Sequence, residues 1–583
     1  MPRLAGWFWR KLQVWLTHPR LGLRLALVAM LLSSSALFIG IYLDDQVARY
    51  IYSDREGAER LFRSHSGGYG FALGDPVENK WMMEQGWGPW WLDLHMRFAG
   101  YRPLSVLTHR LDFGPLADSP FVIHAHSLLW LGLMVFAVTR MYRALLAPAV
   151  AGAAALLFAL DHTHGFAVGY IMNRHALIAT CLGALILTSH FRKDSLWLGP
   201  VLFGIGLFVS ELVVCVCGYV VAFELLAQRG AWSRRLLAAA PYLVITLCWG
   251  AWYKAAGFGA AGTDFYLDPG ADPLRFLQAF SVRAPLLLMG QFGAPPAELY
   301  YELPGLDGMS LLAWAWLVIA LVAFVLMPVL RRDRIARFWA LGMLSCLLPA
   351  AGPDANNRQL IFVSLGAMGV LAQAWQLYAE QTADKWRATF AGLLLSFRLL
   401  ISPLLMPLMT ASIALISPMN TASAGFLRER YAGRDVVLVT APYSYVVRMV
   451  QIFMRMADAP LPAHIRNLTV GGRPTSVLRT GPQTLELTFP DGLFTNPELR
   501  PDRSRRVRMP PGATVELEGL RVEILEELPD AGPTRARFSF DKPLEDSSLA
   551  FYRWEERGFV PFTPPKLGEQ VTLPGAVLPV GFE

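Results

Sequence analysis

Charge is the first thing this chain lacks. Lys, Arg, Asp and Glu together make up 17% of its 583 residues, too little for a water-soluble protein of this size. Cysteine is scarce as well. The five are Cys181, Cys215, Cys217, Cys248 and Cys346, and all fall in apolar stretches, which argues against a disulfide framework. Cys215 and Cys217 form a lone C-x-C with no second pair, so they read as small apolar residues rather than metal ligands. No internal repeat or low-complexity run stands out, so nothing points to a solenoid or a repeat array.

Apolar sequence is what the chain has in quantity. Hydrophobic residues reach 54% and mean hydropathy is positive, the signature of a polytopic α-helical membrane protein. At roughly 20 apolar residues or somewhat fewer each, about eleven spans can be drawn. They lie near 22–43, 120–139, 145–160, 171–190, 196–209, 212–228, 236–253, 309–330, 337–352, 360–378 and 399–417. The pair 196–209 and 212–228 is short, and one long tilted helix is the alternative there. The basic segment 1–20, with Trp7, Phe8, Trp9 and Trp15, feeds a first span that is too long for a signal-peptide core and ends in no small-residue cleavage site.

The net charge of +7 is a topology signal and implies no nucleic-acid partner. Arg3, Arg10, Lys11 and Arg20 precede the first span. Arg140 and Arg143 follow the second, and Arg192 and Lys193 the fourth. Arg229, Arg234 and Arg235 follow the sixth, Arg331, Arg332, Arg334 and Arg337 the eighth, and Lys385 and Arg387 the tenth. All these loops are cytoplasmic if the N-terminus is inside. The tail then lies outside, and the expected setting is a bacterial inner membrane with a periplasmic C-terminal domain.

Three segments are therefore external. Loop 44–119 and loop 254–308 belong to the transmembrane domain 21–418, the second with an amphipathic helix near 274–290. The third is the tail, 419–583, where Pro and Gly punctuate short runs of alternating polarity. Thr484–Phe489, Thr514–Glu518 and Arg535–Phe540 have the period of half-buried antiparallel strands, and Asp435–Thr440 is a continuous apolar strand. These predict a compact β-rich domain of roughly 150 residues. Asn467-Leu468-Thr469 is a glycosylation sequon.

The candidate functional residues share the outer face. Asp44 and Asp45 end the first span, where desolvation and mutual repulsion both work against two adjacent carboxylates. Such a pair is either solvated at a helix end or used. Loop 44–119 continues through His65-Ser66-Gly67-Gly68-Tyr69-Gly70, which lacks the strand and helix of a phosphate loop. Then come Trp81, Trp87, Trp90 and Trp91, followed by Tyr101, Arg102 and Arg110. The tryptophans suit either an interfacial belt or a platform for sugars and prenyl chains. Asp161-His162-Thr163-His164 and Asn173-Arg174-His175 follow. His162 and His164 are two apart, so a metal site would need loop geometry or other ligands. Arg174, at the start of a span, calls for a phosphate or carboxylate partner. Ser210-Glu211 interrupts an apolar stretch, as a functional acid or a hydrated turn. Arg358, after Asp354-Ala355-Asn356-Asn357, opens a helix where it can touch a lipid phosphate or snorkel.

In their order and spacing these motifs resemble the GT-C superfamily of polytopic glycosyltransferases, which use polyprenyl-phosphate-linked sugars. The chain is most similar to protein O-mannosyltransferases, especially the transmembrane enzymes with TPR repeats. The likeness covers roughly residues 20–380. It rests on Leu43-Asp44-Asp45, on Trp90-Trp91 before Tyr101-Arg102-Pro103-Leu104, on His162-x-His164 with Asn173-Arg174, on Ser210-Glu211 and on Arg358. The lysine that precedes the family's glutamate is missing here, Leu160-Asp161 replaces a proline-containing element, and the tail has strand patterning instead of TPR repeats.

The resemblance implies an inverting transfer at the outer face, to a protein, lipid or glycan acceptor, with membrane lipid around the enzyme. Asp44 or Asp45 would be the general base. Arg358, Arg174 and Arg102 would bind the donor phosphate. His162, His164, Asn173, Glu211, Tyr101, Trp90 and Trp91 would support the substrate. No cofactor is implied, although a divalent metal on Asp44 and Asp45 is an option that wants more oxygen ligands than two carboxylates. A transporter or flippase and a non-catalytic scaffold for envelope polysaccharide assembly are the alternatives.

Overall fold

The computed structural model describes residues 11–53, 68–116, 119–193, 197–302, 308–380, 384–425, 431, 433–495 and 501–578. His65, Ser66, Gly67 and the aromatic residues Trp7, Phe8 and Trp9 lie outside them. The chain divides into two compact units. The first comprises 1–41, 101–256 and 269–413, and the second 42–100, 257–268 and 414–583. Loop 44–119, expected with the transmembrane domain, thus splits at Gly100, and its larger part packs with the tail.

The first unit is helical. Among the described residues six helical runs are long and apolar enough to cross a membrane: Pro120–Leu145, Ile171–Arg192, Trp232–Ala255, Gly308–Arg332, Asn357–Glu380 and Lys385–Gly425, the last running on into the second unit. The chain is an integral membrane protein on this ground. The remaining expected spans are shorter helices. Leu21–Leu32, Pro148–Ala159 and Leu198–Leu207 have 10–17 residues, and Arg334–Ala350 has 17. The doubtful pair is two helices, Leu198–Leu207 and Val214–Ala222, because Ser210 is extended (φ −166°, ψ 141°) and its hydroxyl caps the next turn.

Burial sorts the helices. In Ile171–Arg192 and Asn357–Glu380, 83% of the most apolar window is buried, against 11% in Trp232–Ala255. A helix that is apolar and uncovered in this way has lipid as its partner. Small residues let the inner helices approach closely. A side chain at Gly152 would meet the Leu16 carbonyl, and one at Gly183 would meet Phe362. Four cysteines are buried and Cys248 is exposed on an outer helix.

The first helix stops at Leu32, short of the expected Leu43. Ser33, Ser34 and Ser35 follow. Serine hydroxyls compete for backbone partners, and Ser35 Oγ donates to the Pro407 carbonyl at 2.9 Å. The backbone continues as a 3-10 turn, Ser34–Phe38.

Among the described residues the second unit holds three sheets. β1 (Gly70–Leu73), β2 (Arg97–Ala99) and β3 (Gly259–Ala261) form a small antiparallel sheet. The tail contributes β4 (Asp435–Leu438), β5 (His464–Asn467), β6 (Thr475–Gly481), β7 (Thr484–Thr488), β8 (Thr514–Leu517), β9 (Leu520–Leu528), β10 (Gly532–Phe540), β11 (Leu549–Glu555), β12 (Gly558–Pro561) and β13 (Gln570–Leu573). The order β13-β6-β7-β10-β9-β8 is antiparallel throughout, as the alternating runs predict. The order β12-β11-β4-β5 is mixed, since β4 runs parallel to both β11 and β5. Val436, Val437 and Leu438 are fully buried, and a strand covered on both faces reads as a continuous apolar run. The helix Ser444–Met456 makes the crossover from β4 to β5. Asn467 of the sequon is 6% exposed in β5, so it is not an accessible glycosylation site.

Candidate active-site clusters

In the second unit Asp44 and Asp45 do not end a membrane helix. They open a separate one, Asp44–Ile51. Leu43 before them has φ 47° and ψ −127°, a conformation that costs a non-glycine residue on the order of 1–3 kcal/mol and is concentrated at functional sites. In the first turn both carboxylates meet the positive end of the helix dipole. Their exposure differs: Asp45 is 1% exposed, whereas Asp44 is half-buried.

Asp44 Oδ1 accepts a hydrogen bond from the Tyr445 hydroxyl at 2.6 Å. Tyr445 lies in the first turn of the helix Ser444–Met456. Burial, followed by the charge of Asp44, pushes its phenol well above the ordinary value, so it stays protonated and donates. One turn on, the Arg448 guanidinium lies 4.1 Å from the Phe71 ring centre and 5.7 Å from that of Tyr445. Arg448 is itself tied to the Trp87 carbonyl at 2.7 Å and to Asp502. Nothing in the local sequence around Tyr445 signalled this role.

Trp87, Trp90 and Trp91 are neither a belt nor a platform. Trp87 and Trp90 are 3% exposed and Trp91 0%, in one core with Phe538, Leu485 and Leu487. Trp90 packs edge-on against Phe538 at 5.5 Å and donates Nε1–H to the Leu468 carbonyl at 3.1 Å. Buried indoles of this kind support packing and cannot receive a sugar face. The substrate-contact expectation for Trp90 and Trp91 is therefore corrected.

The first unit contains a different kind of cluster. Arg174 is fully buried. It pairs with Asp112, donates Nε–H to Ser127 Oγ at 2.9 Å and Nη2–H to the Ile123 carbonyl at 2.9 Å, and lies 3.1 Å from His126. Of the two partners the sequence allowed, carboxylate or phosphate, it has the carboxylate, which corrects its donor-binding role. Asp112 also accepts from His126 at 2.7 Å. Burial raises its carboxyl, but His109, His126 and Arg174 together hold it well below the usual range. Neighbouring His109 is lowered to about 4, chiefly by burial.

His162 and His164 lie in a 3-10 turn and are 2% and 0% exposed. His162 Nδ1 is 2.9 Å from Ser402 Oγ, and His164 Nε2 is 3.0 Å from the Phe158 carbonyl. They pack beside Asp161, which the sequence placed in the same cluster without giving it a role. Asp161 receives Arg398 at 2.8 Å, Ser364 at 2.6 Å, Gln291 at 3.0 Å and the Thr163 amide at 3.2 Å. The signal was present in Arg398, a charge inside the run Leu393–Leu408, since an intramembrane arginine needs a partner. The two histidines hold this interior together and are enclosed by it, so their substrate-contact role is corrected. Among the described residues no three His, Cys, Asp or Glu side chains come together as a metal site.

Arg102 and Glu211, distant in sequence, form a two-pronged ion pair, with Nε to Oε2 at 2.8 Å. Tyr101 packs edge-on against Trp252 and Phe208 at 5.1 and 6.1 Å. Arg102 is thus committed to a carboxylate where a phosphate was expected. The Asn173 side-chain Nδ2 is buried and has no hydrogen-bond partner among the described residues. Arg358 is different. It sits in the 3-10 turn Asn357–Leu360, its backbone N–H capped by Asn356 at 2.9 Å. The turn is held by Arg283 on Asp354 at 2.6 Å and by Glu298 on the Asn357 amide at 2.9 Å. The Arg358 guanidinium is half-buried, 5.8 Å from the Phe166 ring centre, and among the described residues it has no carboxylate within ion-pair distance. Arg102 and Arg358 both lie near enough to His175 to act on it electrostatically.

No protein-family model matches the chain, and no curated protein matches it. Solved structures of the oligosaccharyltransferase of Archaeoglobus fulgidus align with it loosely. The form tethered to an acceptor peptide with an NVT sequon has TM-score 0.40 and 11% identity, over 77% of this chain and 64% of that one. The same organism's AglB with an inhibitory peptide and a dolichol-phosphate gives 0.38 and 11%, over 76% and 64%. The apo form gives 0.36 and 11%, over 77% and 65%. The chain thus spans less than two thirds of the length of these proteins, and at such scores the likeness assigns neither a fold family nor an activity.

Proposed function

We propose that the chain is a membrane glycosyltransferase of GT-C type. In this reading it moves a sugar from a polyprenyl-phosphate donor to an acceptor hydroxyl at the outer face of the membrane, with inversion. The N-terminus is cytoplasmic and the second unit extracytoplasmic. The observation that carries the reading is the acidic pair Asp44-Asp45, set behind a strained Leu43 with Tyr445 on Asp44. A carboxylate of the pair takes the proton of the acceptor hydroxyl. The acceptor oxygen bonds to the anomeric carbon as the bond from that carbon to the phosphate oxygen breaks, and polyprenyl phosphate leaves with the electron pair. General-base help of this kind is worth about 10²–10⁴-fold. As a separate feature of the first unit, Arg358 is half-buried and has no carboxylate partner among the described residues, which suits a cation that binds the donor's phosphate.

The test is incubation of the purified protein with a polyprenyl-phosphate sugar and a panel of hydroxyl acceptors. Release of polyprenyl phosphate together with a glycosylated acceptor is expected, and Arg358→Ala should weaken donor binding. Intact donor after prolonged incubation across the panel would sink the reading, and unchanged donor affinity in Arg358→Ala would remove the phosphate role.

A second reading, a transporter or flippase, is favoured by one observation. The Asp161–Arg398 pair is buried among apolar helices, where transporters keep ionisable groups. Movement of labelled donor lipid across vesicles without sugar release would select it.

A further inference from the structure

We propose that Asp44, not Asp45, is the reacting carboxylate and that Tyr445 is its positioning residue. The inference rests on the glycosyl-transfer reading above and adds to it the choice between the two acids and a role for the tail. Exposure makes the choice. At 1% exposure Asp45 cannot meet an acceptor, while half-buried Asp44 can.

Tyr445 supplies what a base needs from its neighbour. Its hydroxyl, 2.6 Å from Asp44 Oδ1, holds the carboxylate in one orientation. The phenol is fixed in turn. Arg448 lies 5.7 Å from its ring centre, and Trp87 and Asp502 hold Arg448. The tail therefore orients a group that lies some 400 residues earlier in the chain.

The test is a double-mutant cycle in the full chain, read by single-turnover rates and donor KM. Tyr445→Phe should lower the rate roughly 10- to 100-fold, the scale of a misplaced catalytic group, with donor KM unchanged. In an Asp44→Asn background the same change should lower the residual rate no further, because a residue acting only through Asp44 has nothing left to act on. An equal fall in both backgrounds would mark Tyr445 as merely structural and overturn the proposal, as would an unchanged rate in Tyr445→Phe alone. If Tyr445→Phe does not fold, Tyr445→Gln, a neutral donor of shorter reach, carries the same cycle. An active Asp44→Asn beside an inactive Asp45→Asn would overturn the choice of acid and leave glycosyl transfer standing. Full activity in both would remove the pair from catalysis altogether.

Discussion

The acids of the two units meet different partners. In the first unit Asp112 and Asp161 face Arg174 and Arg398, and all four side chains are buried. In the second, Asp44 faces the neutral hydroxyl of Tyr445 and keeps part of its surface. A carboxylate bound by a buried guanidinium is a fastener: its charge is permanent and its lone pairs are occupied. A carboxylate that keeps part of its surface can be reached by a reacting group. The comparison separates charges that hold helices together from a charge that can react, although both kinds stood out in the sequence for the same reason.

Breaking a fastener should give the largest effect on folding. Arg398→Leu leaves Asp161 charged and enclosed, and loss of one partner of a buried pair costs about 3–5 kcal/mol. Thermal unfolding in detergent should show the loss, while Asp161→Asn with Arg398→Leu should recover much of it. A fully stable Arg398→Leu protein that no longer binds donor would move Arg398 from the fasteners to the site. Trp90→Ala should cost about 3–5 kcal/mol as a core truncation. A stable Trp90→Ala protein with weakened donor binding would restore the platform role.

How much of this was legible varies residue by residue. Six of the expected spans stand as long apolar helices among the described residues, because apolar length is a local property. Arg174 announced that it needed a partner, and Asp435–Thr440 carried the continuous apolar run of a doubly covered strand. The end of the first helix at Leu32 turned on three serines inside an otherwise apolar stretch. Asp44 stood out as one of a pair, but Tyr445 could not have been matched to it. Long-range pairing is set by tertiary packing, and no periodicity records it. Trp87, Trp90 and Trp91 misled because an aromatic cluster looks the same in a domain core as at an interface.

A third prediction concerns pH. Burial lowers His109 to about 4, against about 6.5 in an unfolded chain. A base with a lowered folded value contributes stability that is fully present above the unfolded value. That stability declines as pH falls from about 6.5 toward 4. His109→Gln should flatten part of that decline in unfolding scans between pH 7.5 and 4, and an unaltered slope would mean that His109 charges without penalty. The smallest effect belongs to the charged ladder on β7, β9 and β10. Arg535, with its side chain 41% exposed, reaches Glu486 and Glu526, and Arg535→Ala should change stability by less than about 1 kcal/mol. A larger loss in the same unfolding assay would make that face more than a solvated surface.

The central claim is that Asp44 reacts. Single-turnover transfer from a polyprenyl-phosphate sugar by Asp44→Asn protein, with folding checked in parallel, tests it most directly. The account predicts a fall of about 10²–10⁴-fold with donor binding and thermal stability retained. A rate equal to that of the unmodified protein would contradict it.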